Sequence, residues 1–294
     1  MDPNGRDAAL VFLFLQQLSI DLSLSSFSLL PQRVYHYTTA GGIEGIIREG
    51  GIRATNFSFL NDPSEISYAR DLALATLTEM RDATTGNSRE LLQHARSALA
   101  DKVSWEPYLA CFSALSDDIS QWRAYGSSAA ERYCLGFDAN LLASALSVHS
   151  TARFARVLYQ KDEQQQRIRR FGEQALDFVS RNEIDPNNWN AVGNVVADIM
   201  AWVLPEIKDP AYECEAEWRI IFKGETSSEA LEFDTGRGSL RPFRRFVLPQ
   251  PIPLREVCVL APKRKSLALK AVNMLLTAAG LSIEAFHSVV PFAE

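Results

Sequence analysis

Strand-like runs and helical stripes alternate along this 294-residue chain without a regular beat, and that irregularity constrains the fold most. Val34 to Tyr37 reads as a short strand. Ile43, Ile46 and Ile47 then recur at helical spacing until Gly50-Gly51 stops them. A second strand covers about Ile52 to Leu60. Asp62-Pro63-Ser64-Glu65 opens a helix, with Asp as N-cap, Pro at the first position and Glu three residues on. Ile66, Ala69, Ala73, Leu77 and Met80 supply its buried stripe. Arg89 to Val103 is helical again. Tyr108 to Ser113 and Tyr133 to Phe137 read as strands flanking a polar loop that holds Trp122. Lys161 to Ser180 forms a charged helix, and Trp189 to Leu204 a more buried one that Pro205 stops. Cys214 to Lys223 is a strand, and two more fall between Leu231 and Leu248. The end reads as strand (Glu256 to Leu260), helix (Lys265 to Ala279) and strand (Ser282 to Phe286).

A doubly wound sheet needs steady alternation of strand and helix. Helices interrupt these strands irregularly, so the pattern predicts a mixed α+β fold. No linker divides the sequence. Residues 31–294 are therefore expected to form one α+β domain, with residues 1–30 a helical segment docked on it.

Composition narrows the partners. Hydrophobic residues make up 47% and charged residues 22%, the usage of a globular chain, not a disordered one. A net charge of −6 gives no global attraction to a phosphate backbone, so a nucleic-acid partner would need a local basic patch. Cys111, Cys134, Cys214 and Cys258 form no C-x-x-C pair, and the four histidines form no H-E-x-x-H, so no metal is expected. Cys111, Cys134 and Cys258 have apolar or aromatic neighbours, as reduced buried thiols do, which points to a cytoplasmic chain. Ala8 to Leu30 is the one membrane suspect. Its longest apolar run, Ala8 to Leu15, is too short to span a bilayer.

Four polar-aromatic motifs carry the candidate chemistry. In Val34-Tyr35-His36-Tyr37-Thr38-Thr39 a strand runs into a helix with one histidine among aromatics and hydroxyls. A neutral imidazole gives one hydrogen bond and accepts another, which suits a ribose hydroxyl pair. It suits a buried, backbone-satisfied histidine equally. In Phe59-Leu60-Asn61-Asp62-Pro63-Ser64-Glu65 the helix start accounts for Asp62 and Glu65 and leaves Asn61 unexplained. In Gln121-Trp122-Arg123-Ala124-Tyr125-Gly126 two aromatics offer either a stacking wall or an anchor under a loop, with Arg123 free for a phosphate. In Glu215-Ala216-Glu217-Trp218-Arg219 the strand period sends Trp218, Ile220 and Phe222 to the core and lines Glu215, Glu217 and Arg219 on the other face. Two carboxylates so close repel, so one has a raised pKa or needs a cation. A weaker fifth feature is Lys263-Arg264-Lys265 at the start of the terminal helix, where a bound anion would be favoured.

The set resembles a bacterial domain family of unknown function, DUF2971. The resemblance rests on Tyr35-His36-Tyr37-Thr38, Phe59-Leu60-Asn61-Asp62 with Glu65, Cys111-Phe112-Ser113 with Trp122 and Tyr125, Gly136-Phe137-Asp138, Glu215-x-Glu217-Trp218-Arg219 and Ser288-x-x-Pro291. It runs from about Val34 to Phe292 and brings no activity with it. A looser likeness joins Tyr-His-Tyr-Thr to Gly-Ile-x-x-Ile-Ile-x-x-Gly-Gly-Ile-x-Ala-Thr-Asn, similar to the opening of the ADP-ribosyltransferase fold. That likeness implies a mixed, ADP-ribosyltransferase-like sheet core with flanking helices and NAD as co-substrate. It implies Glu217, Glu215 and His36 as catalytic residues. Tyr37, Thr38, Asn61, Trp122, Arg123 and Tyr125 join His36 in binding NAD. No Ser-Thr-Ser element of that fold is present in the middle of the chain.

The resulting expectation is an enzyme that cleaves NAD and transfers ADP-ribose to a nucleic acid or protein. A toxin or phage-defence effector with an antitoxin or immunity partner would work in this way. Three alternatives stay open: an NAD glycohydrolase, a non-catalytic nucleotide- or protein-binding module, and a metal-dependent nuclease using Asp62, Glu65, Glu215 and Glu217.

Overall fold

The computed structural model describes residues 3–25, 30–60, 64–101, 106–124, 131–147, 152–222, 231–235, 240–261 and 263–291. In chain order the elements are α1 (Pro3–Ser25), β1 (Arg33–Thr39), α2 (Ala40–Glu49), β2 (Gly51–Asn56), α3 (Ser64–Asp82), α4 (Gly86–Asp101), β3 (Tyr108–Ser113), α5 (Ile119–Ala124), β4 (Arg132–Asp138) and α6 (Ala139–Ser147). They continue with β5 (Ala152–Arg156), α7 (Lys161–Asn182), α8 (Trp189–Val203), β6 (Glu217–Phe222), β7 (Glu232–Asp234), β8 (Arg241–Val247), β9 (Leu254–Leu260), α9 (Lys265–Ala278) and β10 (Glu284–His287). Short 3₁₀ turns fill several of the joins. The fold is mixed α+β.

The chain divides into two compact units, each assembled from three separated segments. The helical unit takes Met1–Ser25, Leu60–Pro107 and Val157–Tyr212; the sheet unit takes Ser26–Phe59, Tyr108–Arg156 and Glu213–Glu294. No boundary falls at one place along the sequence, which is why no linker is visible in it.

In the helical unit α1, α3, α4, α7 and α8 pack around one apolar core. Ala69, Ala73, Leu77 and Met80 of α3 are buried there, as their helical spacing predicts, and so are Leu91, Leu92, Ala95 and Leu99 of α4. Helix α1 contacts α7 and α8 through Val11, Phe14 and Leu18. Among the described residues no helix is long and apolar enough to cross a membrane.

All the strands lie in the sheet unit, in the order β10-β9-β4-β1-β3-β2-β8-β7, with β6 pairing β3 and β5 pairing β6. Strand β10 runs parallel to β9. One sheet face packs under α2, α6 and α9, where Ile43, Ile46, Leu142, Val272 and Leu276 meet Val34, Leu135, Phe137 and Trp218. Helix α2 ends as its sequence predicts, with Gly50 in the left-handed conformation at φ 65° and its N–H on Ile46 O. The other face carries a smaller cluster of Tyr37, Trp122, Cys134, Cys258 and Leu260.

Strand β3 is a junction. It pairs with β6 along its whole length, from Tyr108↔Phe222 to Ser113↔Glu217. On its other side it meets β2 at Thr55↔Leu109 and Asn56↔Tyr108, and β1 at Tyr35↔Ser113 alone. Strand β1 meanwhile follows β4 over seven paired residues. The sheet therefore forks beside Tyr35 and Ser113, one arm running to β10 and the other to β5 and β7.

Candidate functional site

The register fixes which motif residues share a face. Tyr35, Ser113 and Glu217 stand opposite one another across β1, β3 and β6, so all three project to the same side. His36 is one residue on and projects to the opposite side, where it pairs with Leu135 and lies 5.4 Å from the Phe112 ring. The ADP-ribosyltransferase likeness implies that His36 and Glu217 face one cleft from neighbouring strands. They do neither: β3 separates their strands, and the two-residue strand period turns the side chains apart.

His36 Nδ1 lies 2.9 Å from the Cys111 carbonyl. A carbonyl only accepts, so Nδ1 carries the proton in the neutral ring and Nε2 is left as an acceptor. Burial lowers the His36 pKa, and the Cys111 bond opposes that shift. The ring is a tie across the fork between β1 and β3. Thr39, two positions past Tyr37, caps α2 by accepting from Gly42 N at 3.4 Å. Thr38 packs its hydroxyl where a side chain on Gly42 would have to sit. This is the backbone-satisfied histidine that the residues allowed, beside a plain helix cap at Thr39.

Tyr37 and Trp122 form a closed hub. Trp122 is fully buried, on α5 and not in an open loop. Its indole meets the Tyr37 ring edge-on at 4.9 Å between centroids, and its Nε1 donates to Asp117 Oδ1 at 2.7 Å. Tyr37 donates to Leu115 O and accepts from Asp118 N, each at 2.9 Å. Asp117 also takes the Ser288 hydroxyl on Oδ1 and Val289 N on Oδ2, the latter at 2.9 Å. The Ser288-x-x-Pro291 motif is thus fastened to the Trp122 segment through one carboxylate. Arg132 completes the hub by donating to Trp122 O at 2.6 Å. Cys134 and Cys258 face each other across β4 and β9 beneath it, and burial pushes the Cys134 thiol up to about 12. As a stacking wall for nicotinamide, Trp122 offers no open ring face; its placement is that of the anchor. Asp117 and Arg132 were not singled out from sequence. The only sign of Asp117 was its place in a polar loop, where the left-handed φ of 49° cannot be read.

Glu217 and Arg219 form a buried pair, 5% and 2% exposed. Arg219 Nε and Nη2 reach Glu217 Oε1 and Oε2 at 2.7 and 2.8 Å, the two-pronged geometry that suits guanidinium to carboxylate. Glu215 does not extend this row. The chain before β6 is a 3₁₀ turn (Pro210–Glu215), and Ala216 takes the left-handed conformation at φ 44°, which ends the strand period before Glu215. Ser113 holds that turn by donating to Glu215 O at 2.7 Å, and Ala114 N donates to Ala216 O at 2.8 Å. So the Glu-x-Glu repulsion expected from the strand pattern does not arise on one strand face.

The Gly136-Phe137-Asp138 motif is structural in each part. A Cβ on Gly136 would lie 2.7 Å from Glu256 Cγ and 3.0 Å from the Tyr35 ring. Phe137 is fully buried, and Asp138 caps α6 through Leu141 N at 3.1 Å. Arg123 is exposed at the end of α5, and Lys263, Arg264 and Lys265 are exposed before and at the start of α9. In the helical unit Glu65 pairs with Lys208 Nζ at 3.0 Å. Asn61, Asp62 and Tyr125 lie outside the described residues. Among the described residues, no group of three or more His, Cys, Asp and Glu is arranged to hold a metal ion.

The class these features define is a mixed α+β protein with a forked sheet, whose first, third and fourth polar motifs lie in the sheet unit. A family model described as a protein of unknown function, DUF2971, matches residues 121–220, from α5 through most of β6. No curated protein and no solved structure matches the chain.

Proposed function

We propose that this chain is an ADP-ribosyltransferase-like protein that takes NAD as co-substrate. In this reading it cleaves the nicotinamide–ribose bond and passes ADP-ribose to a macromolecular acceptor in the cytoplasm, as a toxin or defence effector would. One observation supports it above the rest. Glu217 and Tyr35, one residue of the first-strand motif, stand in a single row with Ser113 beside the fork in the sheet, while His36 faces the other side. When the bond breaks, its electron pair leaves with nicotinamide and positive charge develops on the ribose, as in glycoside cleavage. A carboxylate placed by the ribose stabilises that charge, and dry surroundings strengthen the effect. His36 serves in this reading as a positioning residue, since its Nδ1 is tied to Cys111 O and its ring faces the other side.

The buried Glu217–Arg219 pair changes how the reading is tested. Glu217→Gln alone takes from buried Arg219 the carboxylate charge it grips, a change that destabilises by about 3–5 kcal/mol in comparable cases. The double variant Glu217→Gln/Arg219→Met removes both charges and keeps the volume. Nicotinamide release from NAD, without divalent metal, is measured for the parent and the double variant, with folding checked by circular dichroism. The parent is expected to release nicotinamide and the folded double variant to have lost that activity. Equal turnover in both removes Glu217 from the chemistry.

A second reading, a non-catalytic nucleotide- or protein-binding module, draws on a specific observation. Both carboxylate oxygens of Glu217 are engaged by Arg219, and the Trp122 ring is fully covered. NAD binding by the parent with no nicotinamide released is the outcome that selects it.

A further inference from the structure

Away from the fork, the helical unit contains a pocket of about 590 Å³ between α1, α4, α7 and the turn before α8. That volume falls within the range of small-molecule sites, roughly 300–1,000 Å³. Its floor is apolar: Leu91 of α4, Val179 of α7, Ile184 and the buried Trp189. Its charged groups are mainly acidic, Asp7, Glu183 and Asp185, against one arginine, Arg6, and Asn87, Ser88 and Ser180 add neutral polar groups.

Asp7 is the deciding side chain. It is 4% exposed, yet it lines the pocket. Both hydrogen bonds it accepts fall on Oδ2, from Asp185 N at 3.1 Å and Asn188 Nδ2 at 2.8 Å. Oδ1 has no partner among the described residues. That oxygen is not fully covered, so it is open to a donor from water or a ligand. The Asn188 and Asp185 bonds, with a smaller contribution from the neighbouring Arg6 charge, keep the Asp7 carboxyl below the usual range, so it is charged at neutral pH.

The surrounding elements reinforce a negative field. Helix α7 ends at Asn182, so its C-terminal carbonyls and the Glu183 carboxylate both favour a cation at this rim. Two features oppose it: the Arg6 guanidinium and the first turn of α4, which brings Asn87 and Ser88 to the lining. Arg6 is partly engaged elsewhere, donating from Nη2 to Asn182 O at 3.2 Å. Three carboxylates and a helix C-terminus outweigh one arginine and one helix N-terminus.

We infer that this pocket binds a small organic cation, a protonated primary amine with an apolar body, whose ammonium donates to Asp7 Oδ1 while its hydrocarbon part lies on Val179 and Trp189. The site is independent of the fork and of the NAD reading.

Phenethylamine is the probe, with phenethyl alcohol and inorganic phosphate as comparators, each titrated calorimetrically against the full chain. The amine is expected to bind at least about tenfold more tightly than the alcohol, the scale of one hydrogen bond to a charged group. Asp7→Asn should erase that preference. Because Asp7 also holds Asp185 and Asn188, Ser180→Trp provides a second variant. Ser180 is an exposed lining residue on α7, where an indole blocks the pocket without touching the core. It should abolish amine binding while circular dichroism stays unchanged. The inference is overturned if alcohol and amine bind alike. It is equally overturned if phosphate binds and the amine does not, or if folded Ser180→Trp binds the amine as the parent does.

Discussion

The two units treat their polar side chains in opposite ways. In the sheet unit the motif residues are engaged with one another: His36 with a backbone carbonyl, Trp122 with Asp117, Glu217 with Arg219. In the helical unit the pocket residues come from distant segments, form no motif, and leave one carboxylate oxygen of Asp7 unmatched. A polar-aromatic motif is thus no direct pointer to an open site. Fastening a forked sheet demands fixed residue types at fixed spacings as strictly as chemistry does, because each buried polar group must find a partner.

The largest test of this contrast is Trp122→Ala. It removes a fully buried indole from the hub and should cost about 3–5 kcal/mol in urea unfolding. A loss below about 1 kcal/mol would mean the hub is not closed. Arg219→Ala comes next. It takes from buried Glu217 the guanidinium that grips both carboxylate oxygens, for a similar expected loss of about 3–5 kcal/mol, whereas Glu217→Gln/Arg219→Met should restore most of it. If the double variant is no better than the single one, the pair is worth more than its mutual cancellation and a further partner holds it.

Asp117→Asn is the intermediate case. The amide keeps an acceptor but loses the charge that binds Trp122 Nε1, Ser288 and Val289, so a loss of about 1–3 kcal/mol is expected. Stability against pH sharpens the reading of His36. Its folded pKa lies below the ordinary 6.5, so the unfolded chain binds the extra proton first. Its contribution to stability is therefore complete above about 6.5 and falls as pH drops through the interval below, with a slope of at most about 1.4 kcal/mol per pH unit. His36→Gln should flatten that interval. An unchanged slope assigns the titration to another group. The smallest stability effect belongs to Ser180→Trp, expected within about 0.5 kcal/mol of the parent because the position is an exposed helix surface.

Much of the local structure was legible in the residues. Gly50-Gly51 ended α2 where expected because the C′ position needs φ above zero. Tyr108–Ser113 appeared as a strand with the bounds read from sequence, and α8 ended one residue short of Leu204, next to Pro205. The strand period placed Trp218 and Ile220 in the core and Glu217 with Arg219 opposite, as alternation requires. The same period misled at Glu215, where a left-handed Ala216 breaks it. Helices α5 and α6 and strand β5 carry signals too short to separate from loop, and none was expected.

Sequence by itself determined the mixed α+β class, most elements and the set of polar groups that must be satisfied. It does so because backbone propensity, apolar period and capping act over a few residues. Tertiary structure alone decided which of those groups meet. The register across β3 turned His36 and Glu217 to opposite faces, and one carboxylate, Asp117, joined segments 171 residues apart. Strand pairing and burial are set by the sum of contacts over the whole sheet, so no window along the chain contains them.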